Sequence, residues 1–299
     1  MITRHSPARL GSLASKTWTC PSCAHQLRRP FSSTPSPNIE VPRLTLHNAF
    51  TTSGVPGLFS ATGYKLGWTT YQTHILTKLT SLLAGDPDSN LSPKSLLLKY
   101  ARDPQSASIF NHASMAFNNH FFYQSLSTAP LPLSKLSGGL ESSLLGTFGS
   151  LETLRQTMLD TAESLFAPGF VWLVCTSAPG QPTWRILTTY AAGTPFPDAG
   201  YRLQPTAPGT TVNPSKPLGY FGATSKAGQD MKKFPVGGTE VMPVLCVNTW
   251  EHAYIYDFGV DGKRKYLGDW WEAIDWHAVD GRTPEIEKSR GALRGLGRA

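Results

Sequence analysis

The chain has 299 residues, of which 40% are apolar and 16% are charged, and its formal net charge is +7. This length and composition are typical of a folded globular protein with one large or two small domains, which excludes a disordered polyelectrolyte. No apolar run approaches the roughly 18 residues that a membrane-spanning helix needs. The sequence therefore predicts a globular protein without a membrane-spanning segment.

The positive charge is concentrated at the N-terminus. Five Arg and Lys residues precede the first acidic residue, Glu40, and removing those five leaves a net charge of +2. The segment 1–38 is rich in Arg and Ser and lacks acid, which is typical of a mitochondrial transit peptide, and RRPFSST is typical of its processing site. We therefore predict a transit peptide over residues 1–38 and a matrix location. The alternative is a disordered basic tail on a cytosolic protein.

The cysteines indicate neither a metal site nor a disulfide framework. Cys20, Cys23 and His25 resemble half of a zinc site, but no second Cys-x-x-Cys or His-x-His pair completes four ligands. These residues also lie in the predicted transit peptide. Cys175 and Cys246 lie in apolar, strand-like runs and are predicted to be buried thiols, which fits a reducing compartment.

Two helices are predicted in the first half of the chain. Apolar residues recur at helical intervals from Tyr64 to Leu83, and a second helical stretch runs from about Ser106 to Leu126. Gly and Pro end the first helix, and a Pro/Ser/Asn-rich connection follows. We therefore predict a helical hairpin domain over residues 39–130, with the segment STAPLPLSKLSGG as its boundary.

The second half begins with a helix and continues with strands. Ser150 is the predicted N-cap of this helix, whose shared apolar face is formed by Leu151, Leu154, Met158, Ala162 and Leu165. The strand candidates are residues 170–175, 184–189 and 243–247. This order predicts an α/β domain over residues 131–280, followed by a basic tail at 281–299.

A Pro- and Gly-rich insert lies between the second and third strands, at about residues 196–242. Loops of this length inside a compact domain are uncommon and are usually disordered or a contact surface. The insert and the basic tail carry the candidate phosphate contacts, which are Lys232, Lys233, Arg290 and Arg294. The alternative for both patches is a solvated surface.

The segment NTWEHAYIYDFGVDGKRKYLGDWWEAIDW carries a family resemblance. It resembles the C-terminal signature of the iron/manganese superoxide dismutases, which is Asp-x-Trp-Glu-His-Ala-Tyr followed by a Tyr and paired tryptophans, here Tyr266, Trp271 and Trp276. The resemblance covers about residues 64–279 without the insert. It implies an α+β fold, with an N-terminal helical hairpin followed by an α/β domain that contains a three-stranded antiparallel sheet.

Family members hold one metal with three histidines and one aspartate. The resemblance places these four ligand positions at Leu66, Asn119, Asn248 and His252, so only His252 keeps its ligand identity. An amide at position 248 is a neutral and poor ligand where the family uses an anion. One imidazole does not bind a catalytic metal tightly. We therefore expect no metal and no cofactor.

The remaining histidines do not fall on ligand positions. His120 lies one residue after the ligand position Asn119, and one residue corresponds to about 100° of rotation around the helix. A new site built from His74, His112 or His120 with His252 needs helix faces that the register does not supply. His252 is expected to be a buried histidine that is hydrogen-bonded to Glu251 or to a backbone carbonyl.

The resemblance extends to the dismutase-like proteins without ligands that are found in mitochondrial small ribosomal subunits of fungal type. It implies a structural component of that subunit that is not an enzyme, with ribosomal proteins as partners and rRNA as a further candidate. One alternative is a mitochondrial matrix iron/manganese superoxide dismutase with an unusual ligand set. A free-standing binding protein is the other.

The resemblance also suggests a protein partner. In the enzymes, the Glu of Trp-Glu-His reaches across a two-fold interface, and a nearby Tyr pairs with a histidine of the partner. Here Glu251 and His252 are kept, whereas the Tyr position is Ile255 and its partner position falls near Thr70. We therefore expect pairing through Glu251 and His252 with a second dismutase-like chain. The alternative is that Glu251 caps its own buried histidine.

Overall fold

Two long helices pack against each other in the computed structural model, which describes residues 39–136, 139–178, 181–199, 240–285 and 288. The helices of this half are α1 (His47–Ser53), α2 (Ala61–Tyr64), a π-helical segment (Lys65–Thr70), α3 (Tyr71–Leu82), α4 (Pro93–Tyr100) and α5 (Ala107–Tyr123). Because α2, the π-helical segment and α3 follow one another without a break, we call residues 61–82 the first hairpin helix.

The first hairpin helix begins at a side-chain cap. The Ser60 hydroxyl accepts a hydrogen bond from the backbone N–H of Gly63 at 3.0 Å, which satisfies one of the free donors of the first turn. The residues of its buried face are Tyr64, Trp68, Gln72, Ile75, Leu76 and Leu79. Short π-helical segments inside α-helices frequently occur at functional sites, and this one lies where the helix meets α5 and the C-terminal domain.

Gly67, within the π-helical segment, allows the first hairpin helix to approach α5 closely. A Cβ atom at this position would lie 2.3 Å from the hydroxyl oxygen of Tyr123 on α5. Tyr123 is held in place by other rings, with its centroid 5.6 Å from that of Tyr64 and 5.4 Å from that of Trp68. Any larger residue at position 67 must therefore displace a packed ring.

The second half contains α6 (Leu140–Phe148), α7 (Leu151–Ser164) and three strands, β1 (Gly169–Ala178), β2 (Gln181–Tyr190) and β3 (Glu240–Asn248). The sheet order is β2-β1-β3, and both pairings are antiparallel. The central strand is buried from Phe170 to Thr176, which explains its continuous apolar sequence. As the sequence predicts, the Ser150 hydroxyl accepts a hydrogen bond from Thr153 N–H, at 2.9 Å, and caps α7.

Three helices complete the protein: α8 (Glu251–Phe258), α9 (Lys263–Glu272) and α10 (Trp276–Arg282). Arg282 ties α10 to both halves, because its Nη1 atom donates to the Ser125 hydroxyl at 2.7 Å and to the Val244 carbonyl at 3.1 Å. Its guanidinium also lies 4.0 Å from the ring centroid of Phe121. Arg282 therefore fixes the C-terminal helix against α5 and β3.

The predicted fold class is confirmed, with a helical first half and a three-stranded antiparallel sheet. The observed strands extend beyond the predicted ones, and the sequence reasoning missed the helices α1, α4, α6, α9 and α10. Cys175 and Cys246 are both buried, as predicted. Among the described residues, no helix is both long and apolar enough to span a membrane. The predicted transit peptide, most of the insert and nearly all of the basic tail lie outside the described residues.

Candidate functional site

The four positions at which the family resemblance predicts ligands lie on four parts of the fold. Asn119 is on α5, Asn248 is the last residue of β3, His252 is in the first turn of α8, and Leu66 is in the first hairpin helix. Asn119 and Asn248 are both completely buried. A buried amide without a hydrogen-bond partner lowers the stability of the fold, so both side chains need partners within the site.

Three buried amide side chains, Gln72, Asn119 and Asn248, form a hydrogen-bonded group that we call the amide cluster. The Nδ2 atom of Asn119 donates to the Oε1 atom of Gln72 at 3.0 Å and to the carbonyl of Gly67 at 3.2 Å. Gln72 donates in turn to the Ala116 carbonyl at 2.9 Å. Asn248 Nδ2 donates to Asn119 Oδ1 through a long hydrogen bond of 3.5 Å. The cluster thus connects both long helices with the end of β3.

Asn248 is also fixed from the C-terminal side. Its Oδ1 atom accepts a hydrogen bond from the backbone N–H of Trp250 at 2.9 Å. Its backbone carbonyl accepts one from the Tyr266 hydroxyl at 2.7 Å, and the Tyr266 ring is stacked on Tyr254 at 4.8 Å between centroids. The polar atoms of the Asn248 side chain are therefore used within the chain itself.

His252 lies against an aromatic ring. Its imidazole is stacked on Tyr71 with 3.9 Å between ring centroids, and its Nε2 atom is buried without a hydrogen-bond partner among the described residues. Burial lowers the pKa of His252 to about 4, so the ring is neutral near pH 7. The prediction that His252 is hydrogen-bonded to Glu251 or to a backbone carbonyl is wrong for its Nε2 atom. Stacking on Tyr71 orients the imidazole instead.

His120 contacts a different part of the interior. Its ring lies 5.6 Å from that of Trp68, and burial together with the nearby Arg282 charge lowers its pKa to about 4. α5 is a regular α-helix throughout, so consecutive side chains diverge by about 100°. The structure accordingly brings Asn119, and not His120, into hydrogen-bond contact with Asn248.

The other candidate positions lie outside the amide cluster. Leu66 is 43% exposed, and the π-helical segment contacts Asn119 through the carbonyl of the next residue, Gly67. His74 is exposed on α3, and His112 Nδ1 is 2.7 Å from the carbonyl of Ser108 on its own helix. Glu251 is exposed at the surface beside the cluster. Lys232, Lys233, Arg290 and Arg294 lie outside the described residues.

These side chains do not fit an iron or manganese ion. The donor set consists of two neutral asparagine amides and one imidazole, with no carboxylate to balance a trivalent metal. The oxygens of both asparagines accept hydrogen bonds from within the chain. Among the described residues, no group of three or more His, Cys, Asp or Glu is placed to hold a metal. The arrangement is a structural connection between the two halves.

Gln72, Tyr71 and Gly67 take part in this site, and the sequence reasoning assigned them no role there. The signal for Gln72 is its position, since it falls among the apolar residues Trp68 and Ile75 on the buried face of a helix. A polar side chain at such a position requires a buried partner. Gly67 and Tyr71 give no comparable signal, because their contacts depend on the π-helical winding.

The helical hairpin, the antiparallel sheet and the Trp-Glu-His turn at the end of β3 define the fold of the iron/manganese superoxide dismutases. In agreement, residues 222–282 match the family model described as iron/manganese superoxide dismutases, C-terminal domain. The chain therefore carries a dismutase-like C-terminal domain with a degenerate ligand set, and the resemblance predicted from the sequence is confirmed.

The chain is also similar to individual proteins over most of its length. The chain is 29% identical to small ribosomal subunit protein mS42 of Schizosaccharomyces pombe over 193 residues, which cover 64% of this chain and 73% of the relative. It is 26% identical to small ribosomal subunit protein mS43 of the same organism over 231 residues, or 75% of this chain and 79% of the relative. An iron superoxide dismutase of Bordetella pertussis is 26% identical over 206 residues, or 69% and 80% of the two chains.

Proposed function

We propose that this protein is a structural component of the mitochondrial small ribosomal subunit. The observation that carries the proposal is the amide cluster, in which Asn119 and Asn248 hydrogen-bond to each other at the family's ligand positions. The similarity to mS42 and mS43 supports the same conclusion, since both are small ribosomal subunit proteins with matches across most of this chain. A fold that is kept while its metal chemistry is lost acts through its surface.

The same donor set supports the proposal that the chain is not an enzyme. Dismutation requires a metal that alternates between two oxidation states, and one stacked imidazole beside two amides does not hold such a metal tightly. The proposed location is the mitochondrion, and within it the matrix, on the basis of the acid-free segment 1–38.

Sedimentation tests this function directly. A tagged chain expressed at its natural level is fractionated through a sucrose gradient in high salt, with a matrix-directed tagged protein as the control. We expect the chain to sediment with small ribosomal subunits while the control stays at the top. A chain found only in the slowly sedimenting soluble fraction overturns the proposal.

A second dismutase-like chain is the proposed protein partner. Glu251 is exposed at the start of α8, and exposed apolar side chains follow it on the same helix, with Ile255 42% exposed and Tyr256 57% exposed. Exposed apolar side chains together with a charge are typical of a contact surface. Glu251→Ala should abolish co-purification of the second chain, whereas Glu272→Ala on α9 should not. A stable homodimer that survives Glu251→Ala contradicts this pairing.

Contacts with rRNA phosphates are proposed for Lys232 and Lys233 of the insert and for Arg290 and Arg294 of the tail. The support is their clustered charge in the sequence, since phosphate affinity depends on local groups of Lys and Arg more than on total charge. Neutralising either pair should increase release of the chain from subunits by salt. Release identical to that of the wild type, for both pairs, contradicts these contacts.

A further inference from the structure

The outer side of the first hairpin helix presents a regular row of exposed side chains. Ten of its exposed or half-buried residues occur in adjacent pairs at intervals of four, namely Lys65–Leu66, Thr69–Thr70, Thr73–His74, Thr77–Lys78 and Ser81–Leu82. We call these ten residues the outer stripe. At a rise of 1.5 Å per residue, the stripe is about 25 Å long. Its polar members are two lysines, one histidine and five hydroxyl side chains.

The outer stripe contains no acid. Residues 41–85 include neither Asp nor Glu, so the helix carries no carboxylate on any face. Among the described residues, neither Lys65 nor Lys78 lies within ion-pair distance of a carboxylate. The two acids on the neighbouring part of α8 are Glu251 and Asp257, and Asp257 accepts a hydrogen bond from Ser60 N–H at the start of the helix. The lysines are therefore free to bind an anion.

Helix α7 provides an internal comparison. It also exposes a row of hydroxyls, with Thr157 and Thr161 each donating to the carbonyl four residues earlier. That row alternates with the acids Glu152, Asp160 and Glu163. The two helices thus share the same spacing of hydroxyls on an exposed face and differ in the sign of the charge. Of these two helices, the first hairpin helix is the one whose exposed face is suited to an anionic partner.

The chemistry of the outer stripe matches a phosphate backbone. Phosphate oxygens in nucleic acids are bound by Lys and by Ser and Thr hydroxyls, and such contacts need no base recognition. Lys65 and Lys78 are separated by about 20 Å along the helix, with hydroxyls between them, so they suit a series of phosphates and not one compact anion. We propose that the outer stripe, apart from Thr70 at the expected contact with a second dismutase-like chain, binds the phosphate backbone of the small-subunit rRNA, an inference that rests on the ribosomal function proposed above.

Salt titration of purified subunits tests this contact. The double variant Lys65→Gln/Lys78→Gln is compared with Arg264→Gln/Lys265→Gln on α9, which removes the same charge from two exposed cations that are paired with Glu163 and Asp269. We expect the first variant to leave subunits at lower salt, with the log–log salt slope reduced by about one per lysine. The second should match the wild type, because exposed ion pairs contribute little.

Ultraviolet cross-linking of the same subunits identifies the partner of the stripe. A peptide from residues 65–82 joined to rRNA supports the inference. Lysine cross-links from Lys65 and Lys78 to a ribosomal protein, without any RNA-linked peptide, overturn it. If the wild type sediments with subunits but both variants release like it, the rRNA contact fails while the ribosomal function stands. If the wild type does not sediment with subunits, both fail.

Discussion

The two faces of the first hairpin helix differ in what their polar groups contact. On the buried face, Gln72 shares hydrogen bonds with Asn119 and Ala116, so its polar groups are satisfied within the chain. On the outer face, Lys65 and Lys78 face solvent without a carboxylate partner among the described residues. The difference separates two roles along one helix: the buried polar groups stabilise the fold, and the exposed ones are available to a partner. Substitutions in the amide cluster and at the residues packed around it should therefore change stability.

Asn248→Asp should have the largest cost. The new carboxylate is completely buried beside the Asn119 oxygen, in a cluster of neutral amides that supplies no positive charge, and we expect a loss of about 3 kcal/mol at pH 7. Burial raises the pKa of such an Asp, so the penalty is small below the unfolded pKa, grows as pH rises from the unfolded to the folded pKa, and is constant above it. Urea unfolding at pH 5 and pH 7.5, relative to the wild type at each pH, measures it.

Asn48→Asp on the exposed start of α1 is the matched control for this carboxylate and should be neutral. Asn248→Asp should also confer no dismutase activity, since Asn119 and the first-helix position still lack a histidine. Activity in this single variant means that His120 or His74 already acts as a ligand.

Breaking the amide cluster at one member should cost about 2 kcal/mol. Gln72→Leu and Asn119→Leu each leave buried amide groups without partners, so the double variant should lose less than the sum of the two. Asn118 is the adjacent control, because its Nδ2 atom donates to the Gly193 carbonyl outside the cluster. The stability losses of Gln72→Leu and Asn118→Leu should add in the double variant. If the Gln72/Asn118 pair deviates from additivity as much as the Gln72/Asn119 pair, the amide cluster is not a distinct group.

Gly67→Ala should lower the free energy of unfolding by about 1–2 kcal/mol, because the new methyl group overlaps the Tyr123 hydroxyl. Tyr123→Phe removes that oxygen and should restore most of the loss in the double variant. Gly268 lies in α9 with nothing within 4 Å of its Cβ position, so Gly268→Ala should be neutral or stabilising. If Gly67→Ala behaves like Gly268→Ala in thermal unfolding, the helices are not in close contact there.

A pH effect of about 1 kcal/mol per histidine should accompany these changes. Burial lowers the pKa values of His252 and His120 to about 4, below the unfolded value of about 6.5. The unfolded chain therefore binds more protons between these values, and stability falls as pH decreases from 6.5 toward 4. His252→Phe should reduce this dependence between pH 7 and pH 5. A slope that does not change in this variant contradicts the neutral, stacked form of His252.

The sequence predicted those features that depend on local pattern. The cap at Ser150, the apolar face of α7 and the central strand from Phe170 were readable, because periodicity and capping act within a few residues. The replacement of an aspartate at Asn248 was equally visible once the Trp-Glu-His segment was recognised.

The contacts of the amide cluster were not predictable in the same way. The bond from Asn119 to the Gly67 carbonyl depends on a π-helical segment, which shifts the register of the first hairpin helix and leaves Leu66 exposed. The stacking of His252 on Tyr71 depends on how that helix lies against α8. Both follow from tertiary packing, which a single sequence does not encode in a local pattern.

Metal analysis of the purified chain tests most directly whether a dismutase fold has lost its metal site. The protein is expressed with iron and manganese supplied in turn, and metal per chain is measured beside a catalytic dismutase prepared identically. Two amides and one imidazole predict iron and manganese contents far below one per chain, and a melting temperature unchanged by EDTA. A content close to one per chain, with lower stability after chelation, would contradict the loss of the site.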